Sequence, residues 1–240
     1  MNITSEKNPL LKEVRHMAAR GVLSEDGFAL AEGPHLLDEA IRSRVEIRVV
    51  IASESFRGNV AAQARLVSVP DAVFAGLTSA ETPQGVLALV RPPAWTLEDL
   101  TRGTPLVIVL DAVQDPGNAG AIVRTAEGFG ATGVVFLKGS VSPYNPKCLR
   151  ASAGSTFRLP IMTGLTEAQL PSLPMYATAP RAALPVWQAK LAEGCVIVIG
   201  GEGGGVRAEL AARATALSIP TTVVESLNAA VAAGIVLYEA

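Results

Sequence analysis

The 240-residue chain is poor in several things, and each shortage narrows what it can be. It holds two cysteines, Cys148 and Cys195, too few for a disulfide framework, and a structural zinc would need more ligands. Both are expected to be ordinary free thiols. It holds two histidines, His16 and His35, both early in the chain, so neither a histidine-based triad nor a histidine metal site is supported. An excess of one charge is also missing: 20 basic residues face 22 acidic ones, for a net charge of −2. The molecule as a whole is therefore no basic nucleic-acid binder, which counts mildly against a large RNA partner but leaves room for a local basic face. No apolar run approaches the ~20 residues of a membrane span. The longest, 229–238, is about half that length. The opening residues are polar, without the apolar stretch of a secretion signal, and a cytoplasmic location is expected.

What is present is aliphatic. Hydrophobic residues make up 49%, charged residues 18% and aromatics only 5%. A chain rich in Ala, Val and Leu and sparse in rings suits buried parallel strands flanked by helices. Residues 2–20 read as a polar lead-in and a helix capped by Ser5 or Asn8. Pro9 sits in its first turn, Leu10, Leu11, Val14 and Met17 form its apolar stripe, and Gly21 stops it. Strands are expected at 28–31, 45–52, 66–69 and 86–90, and helices at 35–42 and 59–65. That alternation argues a small α/β domain over 1–92. The proline-bearing, polar stretch 93–104 around Trp95 reads as a linker. From 105 to 240 the α/β signal strengthens. Strands are expected at 106–110, 133–137, 175–177, 196–199 and 217–219, and helices at 120–130, from 146 to 153 and at 227–239. The last helix is apolar nearly all round, so it must be covered on more than one side, by deep packing or by a second copy of the chain.

Three loops carry residues suited to chemistry. The first runs from Asp111 to Gly120 between a buried strand and a helix, where open α/β sheets place ligands. In it Asn118 stands where a helix cap would be. Arg124, flanked by Ile122, Val123 and Ala126, is expected to be partly covered along its stem and so to need an anionic or acceptor partner. The second is Gly200-Gly201-Glu202-Gly203-Gly204-Gly205, directly after a strand. It lacks the Lys-Ser/Thr pair of a P-loop, and Val206 stands where a dinucleotide-binding loop would need its third glycine. Five glycines around one acid exceed what a turn requires. The third is Ile219-Pro220 followed by Glu225-Ser226-Leu227-Asn228, where Ser226 or Asn228 could cap the last helix.

Taken singly these loops are ambiguous; their order and spacing are not. Asn118-x-Gly120-x-x-x-Arg124-Thr125, then Gly200-x-Glu202-Gly203, then Ile219-Pro220 with Ser226-Leu227-Asn228, resembles the three motifs of the SpoU (TrmH) family of RNA ribose methyltransferases, within the SPOUT superfamily. Pro143-Tyr144-Asn145-Pro146-Lys147, Arg150-Ala151-Ser152-Ala153-Gly154 and the ending Ala232 to Glu239 agree with it. The first domain resembles, more loosely, the ribosomal-protein-like RNA-binding domain that many members carry. Asn8-Pro9-Leu10-Leu11-Lys12, Ala31-Glu32-Gly33 and Thr82-Pro83-Gln84-Gly85-Val86 carry that likeness. Two departures stand out: Gly201 replaces the usual asparagine before Glu202, and Ala229-Ala230 replaces a common Val-Ser or Val-Ala pair.

The resemblance implies an α/β chain with a C-terminal trefoil-knotted domain on a parallel sheet. It also implies S-adenosylmethionine as cofactor, RNA as partner and a homodimer through the C-terminal domain. It places Asn118, Arg124, Glu202, Ser226 and Asn228 at the reacting centre. Gly200, Gly201, Glu202, Gly203, Ile219, Ser226, Leu227 and Asn228 would surround the cofactor. Lys7, Lys12, Arg20, Lys147 and Arg150 are the candidates for RNA contact. The implied reaction is 2′-O-methylation of a ribose. A guanidinium holds its proton, so Arg124 is expected to steady a developing oxyanion or the adjacent phosphate rather than to act as a base. The two-domain layout leans, by analogy, toward ribosomal rather than transfer RNA. The alternative is a non-catalytic RNA-binding protein that has kept the fold.

Overall fold

Asn8 opens the first helix, α1 (Pro9–Arg20): its side-chain oxygen accepts from the Leu10 amide at 3.0 Å, and Pro9 takes the first position, where no amide is needed. Gly21, at φ 64°, ends it in the left-handed conformation that glycine adopts without strain. There follow β1 (Ala29–Glu32), α2 (Pro34–Arg42), β2 (Ile47–Ser53), β3 (Leu66–Val69), the short α3 (Asp71–Ala75) and β4 (Val86–Val90). The computed structural model describes residues 2–60 and 64–240, so the helix expected at 59–65 falls partly outside the described residues. These strands make a four-stranded sheet, β1-β4-β2-β3. In it β4 runs antiparallel to both neighbours, and β2 pairs with β3 in parallel.

The period-two alternation of the strands separates two apolar layers. Leu30, Val49, Ile51, Leu87 and Leu89 face one side with Leu11, Val14 and Met17 of α1. Ala29, Ala31, Ala52 and Ala88 face the other with Leu36, Leu37 and Ala40 of α2. The second layer is built largely from alanines, and they leave a shallow surface that α2 alone does not fill.

The second compact unit begins earlier than the expected boundary at 105. Trp95 to Thr104 is not a free linker but part of the second compact unit. Within it α4 (Leu97–Leu100) is held by a capping box, in which Asp99 accepts from the Thr96 amide and hydroxyl at 2.8 and 2.9 Å. Leu100 is fully buried, and the Thr132 hydroxyl donates to its carbonyl at 2.5 Å. One buried leucine thus turns a polar, proline-bearing stretch into structure.

Next come β5 (Leu106–Asp111), α5 (Pro116–Gly128), β6 (Gly133–Phe136) and α6 (Pro146–Ser152). Residues Tyr144–Arg158, which include α6, fold with the first unit and not with the second, so the expected single span 105–240 is interrupted. The physical reason lies in the alanine layer, where Leu149 and Phe157 pack among Ala29, Ala31, Ala88 and the α2 leucines. Two buried carboxylates of the first unit hold the same segment. Glu32 pairs with Arg150, and Glu39 pairs with Arg158 at 2.5 Å.

The chain then completes the second unit with β7 (Ile161–Thr163), β8 (Met175–Thr178), β9 (Leu184–Pro185), β10 (Cys195–Gly200), α7 (Ala208–Ala211), β11 (Thr215–Ser218) and α8 (Ala229–Glu239). Its seven strands are ordered β7-β6-β5-β10-β8-β11-β9, and every pairing is parallel. The central pair β5 and β10 is buried along almost its whole length, as uninterrupted apolar runs require. Helices α5 and α8 pack on each other. On α8, Ala229, Ala233, Val236 and Leu237 are buried, whereas Val231 and Tyr238 are 52% and 73% exposed. The helix is therefore covered on one side only. Tyr238 meets Phe129, itself exposed, edge-on with ring centres 5.9 Å apart. Among the described residues no helix is long and apolar enough to cross a membrane.

Candidate active site

Strands β5 and β10 lie side by side in parallel, with Asp111 opposite Gly200 at their carboxyl ends. The three loops singled out in the sequence all leave from this edge or approach it. Asn118 is not the cap of α5. That place belongs to Asp115, whose carboxylate accepts from the Asn118 amide at 2.7 Å. Asp115-Pro116 satisfies the cap-then-proline rule, and Asn118 falls in the helix's first turn with its side chain released for other work.

That work is to join the three loops. The Asn118 side-chain amide donates to Glu202 at 2.5 Å and its oxygen accepts from the Asn228 side-chain amide at 3.0 Å. Asn228 in turn caps α8, its oxygen accepting from the Ala230 and Val231 amides at 2.9 and 3.3 Å. Each amide uses both its ends, so Asn228, Asn118 and Glu202 form a directional chain of hydrogen bonds. The chain runs from the start of α8, past the first turn of α5, to the glycine loop.

Beside this chain lies a cavity of about 410 Å³. Of the residues expected around a cofactor, Gly200, Gly201, Glu202, Ile219, Ser226, Leu227 and Asn228 line it, and Gly203 does not. Gly203 is exposed, and a Cβ on it would meet nothing within 4 Å. The wall also contains Thr178, Ala179 and Pro180 after β8, together with Thr221 and Glu225. The loop after β8 carries no motif; only the sheet order, which puts β8 between β10 and β11, would have pointed to it. Glycine is obligatory at two places in the wall. A Cβ on Gly200 would sit 2.2 Å from the Gly205 carbonyl carbon, and one on Gly201 would sit 2.1 Å from the Ala112 carbonyl oxygen.

Arg124 departs from expectation. It is exposed, and among the described residues no hydrogen bond or ion pair engages it. Its neighbours Ile122, Val123 and Ala126 are buried, so they turn inward and leave the arginine on the solvent side of α5. Of the residues expected to meet RNA, Lys7, Lys12, Arg20 and Lys147 are exposed. Lys12 and Arg20 share one stripe of α1 with His16 between them, at a spacing of four. Arg150 is spent within the fold: it pairs with the buried Glu32 and donates to the Ser79 hydroxyl at 3.3 Å. A buried carboxylate must be paired, and that requirement removes Arg150 from the surface cations.

Residues 105–238 match the SpoU rRNA Methylase family, and residues 8–88 match the MRM3-like substrate binding domain. The chain belongs to the SpoU rRNA methylase family. It is 34% identical to an uncharacterized tRNA/rRNA methyltransferase of Synechocystis sp., over 100% of this chain and 93% of that one. It is 30% identical to the 23S rRNA (guanosine(2553)-2'-O)-methyltransferase RlmP of Bacillus subtilis, over 98% of this chain and 97% of the relative. Among solved structures, an AdoMet-bound rRNA methyltransferase from Sinorhizobium meliloti superposes with a TM-score of 0.83 at 27% identity, covering 100% of this chain and 96% of that one. The three loops that resemble the SpoU motifs are those that the Asn228-Asn118-Glu202 chain ties together, and the mixed α/β architecture with its parallel sheet is that of the family.

Proposed function

We propose that this protein transfers a methyl group from S-adenosylmethionine to the 2′-hydroxyl of a ribose in ribosomal RNA. The observation that carries the reading is the hydrogen-bonded chain Asn228-Asn118-Glu202 at the wall of the 410 Å³ cavity. That volume falls in the range of roughly 300–1,000 Å³ expected of small-ligand sites. The wall has the mixed chemistry that S-adenosylmethionine asks for. Gly200 and Gly201 offer bare backbone, and Leu217, Ile219, Leu227 and Ala232 give an apolar slot for a base. Thr178, Thr221, Glu225 and Ser226 supply polar groups for hydroxyl and ammonium functions. The bound cofactor supplies a methyl carried on a sulfonium, which is intrinsically reactive, so the protein's task is mainly to position and polarise.

The residues divide that task. Asn118 and Asn228 hold Glu202 and fix the distance between the first turn of α5 and the glycine loop. Ser226 shapes the cavity wall. Arg124, on the same helix about 9 Å of helix rise beyond Asn118, is a fixed positive charge without a partner among the described residues. It stabilises the oxyanion that develops on the ribose or grips the adjoining phosphate. The exposed cations Lys7, Lys12, Arg20 and Lys147 of the first unit give the local basic face through which RNA is held. The apolar outer side of α8 with Phe129 supports a homodimer through the second unit, because Val231, Tyr238 and Phe129 stay largely exposed. The trefoil knot and a cytoplasmic location belong to the same reading.

Isothermal titration with S-adenosylmethionine, followed by methyl transfer to ribosomal RNA mapped for 2′-O-methyl positions, tests it. Arg124→Ala is expected to keep cofactor affinity within about twofold and to lose methylation. Full activity in that variant would sink the role given to Arg124. Absence of cofactor binding by the unaltered protein would favour an RNA-binding protein that has kept the fold.

A further inference from the structure

The glycine loop is anchored by a side-chain pair that belongs to none of the three motifs. Five of the residues from 200 to 205 are glycines; a Cβ on Gly203, Gly204 or Gly205 would meet nothing within 4 Å, and the loop's internal tie is a backbone bond from the Gly205 amide to the Gly201 carbonyl at 3.0 Å. Glycine has the most backbone freedom to lose, so such a loop does not hold a shape by its own packing. Yet it must present Glu202 to Asn118 at hydrogen-bonding distance. Both ends of the loop terminate on one residue, Asp111, the last residue of β5. The Asp111 carbonyl accepts from the Gly201 amide at 2.9 Å. Its carboxylate accepts from the Arg207 amide at 2.7 Å and from the Arg207 guanidinium, Nε at 2.6 Å and Nη2 at 2.5 Å.

Arg207 is itself pinned. Its Nη2 donates to the Lys138 carbonyl at 2.8 Å, and its Nη1 pairs with Glu167. The Asp111 carboxylate is 1% exposed and the Arg207 side chain 29% exposed. A buried carboxylate and a guanidinium that fits it with two donors form a rigid joint, stronger than a bond between neutral groups. Each nitrogen of the guanidinium thus has an acceptor, at the end of β5, in the loop after β6 or in the segment after β7. The joint spans the sheet edge from which the cavity opens.

We infer that Asp111 and Arg207 are positioning residues for the cofactor loop, setting affinity for S-adenosylmethionine without taking part in methyl transfer. The inference rests on the proposal that the cavity beside Gly200 and Gly201 holds that cofactor. Neither side chain lines the cavity, so their effect passes through the loop that they close.

The test is a kinetic split in Arg207→Gln and Arg207→Lys. Arg207→Gln is expected to raise the Kd and KM for S-adenosylmethionine at least tenfold, with kcat at saturating cofactor within threefold of the unaltered enzyme and KM for RNA unchanged. Arg207→Lys keeps the charge but loses the fork, and its cofactor Kd is expected to lie between the two. A cofactor Kd within twofold of the unaltered value in a folded Arg207→Gln would overturn the inference. So would a loss of kcat with KM unchanged. If Arg207→Gln fails to fold, Arg207→Lys decides, and an unaltered Kd there has the same force. Failure of the unaltered protein to bind S-adenosylmethionine would instead refute the assignment of the cavity, so the two outcomes are separable.

Discussion

Gly201 offers the sharpest quantitative test, because the family resemblance leads one to expect asparagine where this chain has glycine. Any side chain there begins with a Cβ 2.1 Å from the Ala112 carbonyl oxygen, and real Cβ contacts essentially never fall below 3.0 Å. Gly201→Ala therefore forces the loop to retreat by about 0.9 Å. Retreat stretches the Gly201–Asp111 hydrogen bond, now 2.9 Å, beyond useful length. Overpacking costs about 1–3 kcal/mol and the lost bond about 0.5–1.5 kcal/mol, together about 1.5–4.5 kcal/mol. If the loop yields, the cost falls on cofactor binding, and at 1.4 kcal/mol per decade the Kd rises roughly 10- to 1,600-fold. If the sheet edge yields instead, the melting temperature falls by roughly 3–18 °C. Calorimetric titration with S-adenosylmethionine and a thermal melt on the same preparation capture both routes. A variant with cofactor Kd within twofold and an unchanged melt would refute the steric argument. Gly201→Asn carries the same Cβ and should behave alike, whatever asparagine does in relatives.

Other substitutions probe different parts of the site. Asn118→Ala removes a hydrogen bond to a carboxylate and one to an amide, and a loss of about 2–3 kcal/mol in kcat/KM, roughly 30- to 150-fold, is expected. Asn118→Asp should be worse, because it sets a carboxylate against Glu202; equal activities in the two variants would contradict the bonding chain. Burial pushes the Cys195 thiol up to about 11, and Cys148 is fully buried. Neither should react with iodoacetamide at pH 8 in the native protein, and both should react in denaturant. Because the Cys195 value is raised, its stabilising contribution is complete below the ordinary thiol range and is lost as pH rises from there to about 11, so the melting temperature should fall across that window.

The elements were legible wherever a single local signal decided them. Asn8, Pro9 and Gly21 bracket α1 by rules that act within one turn, and the apolar runs of β5 and β10 announce buried strands. Reading failed where the deciding partner was remote. Asn118 looked like a cap because it precedes a helical pattern, but Asp115-Pro116 starts the helix three residues earlier. Arg124 looked half covered because its sequence neighbours are apolar, yet a helix turns neighbours 100° apart, and they face inward while it faces out. The linker concealed Leu100, one buried residue in a polar stretch. Arg150 resembled an RNA contact until Glu32, more than a hundred positions away, was seen to claim it. The glycine loop was recognisable by composition, whereas its anchor on Asp111 depends on the register between β5 and β10, which no local pattern encodes.

The placement of Tyr144–Arg158 has a consequence for how the chain can be made and cut. A ribosome that has released only the first 94 residues has delivered a sheet whose alanine layer still lacks Leu149 and Phe157, and whose Glu32 and Glu39 lack Arg150 and Arg158. The N-terminal unit therefore matures only after the first strands of the second sheet have been synthesised. The polypeptide passes between the units three times, at 94–95, 143–144 and 158–159. No single scission yields either unit whole, and a gene fragment ending near residue 92 encodes a domain with an unfilled face, a Glu32 without its arginine and a Glu39 left with Arg42 alone.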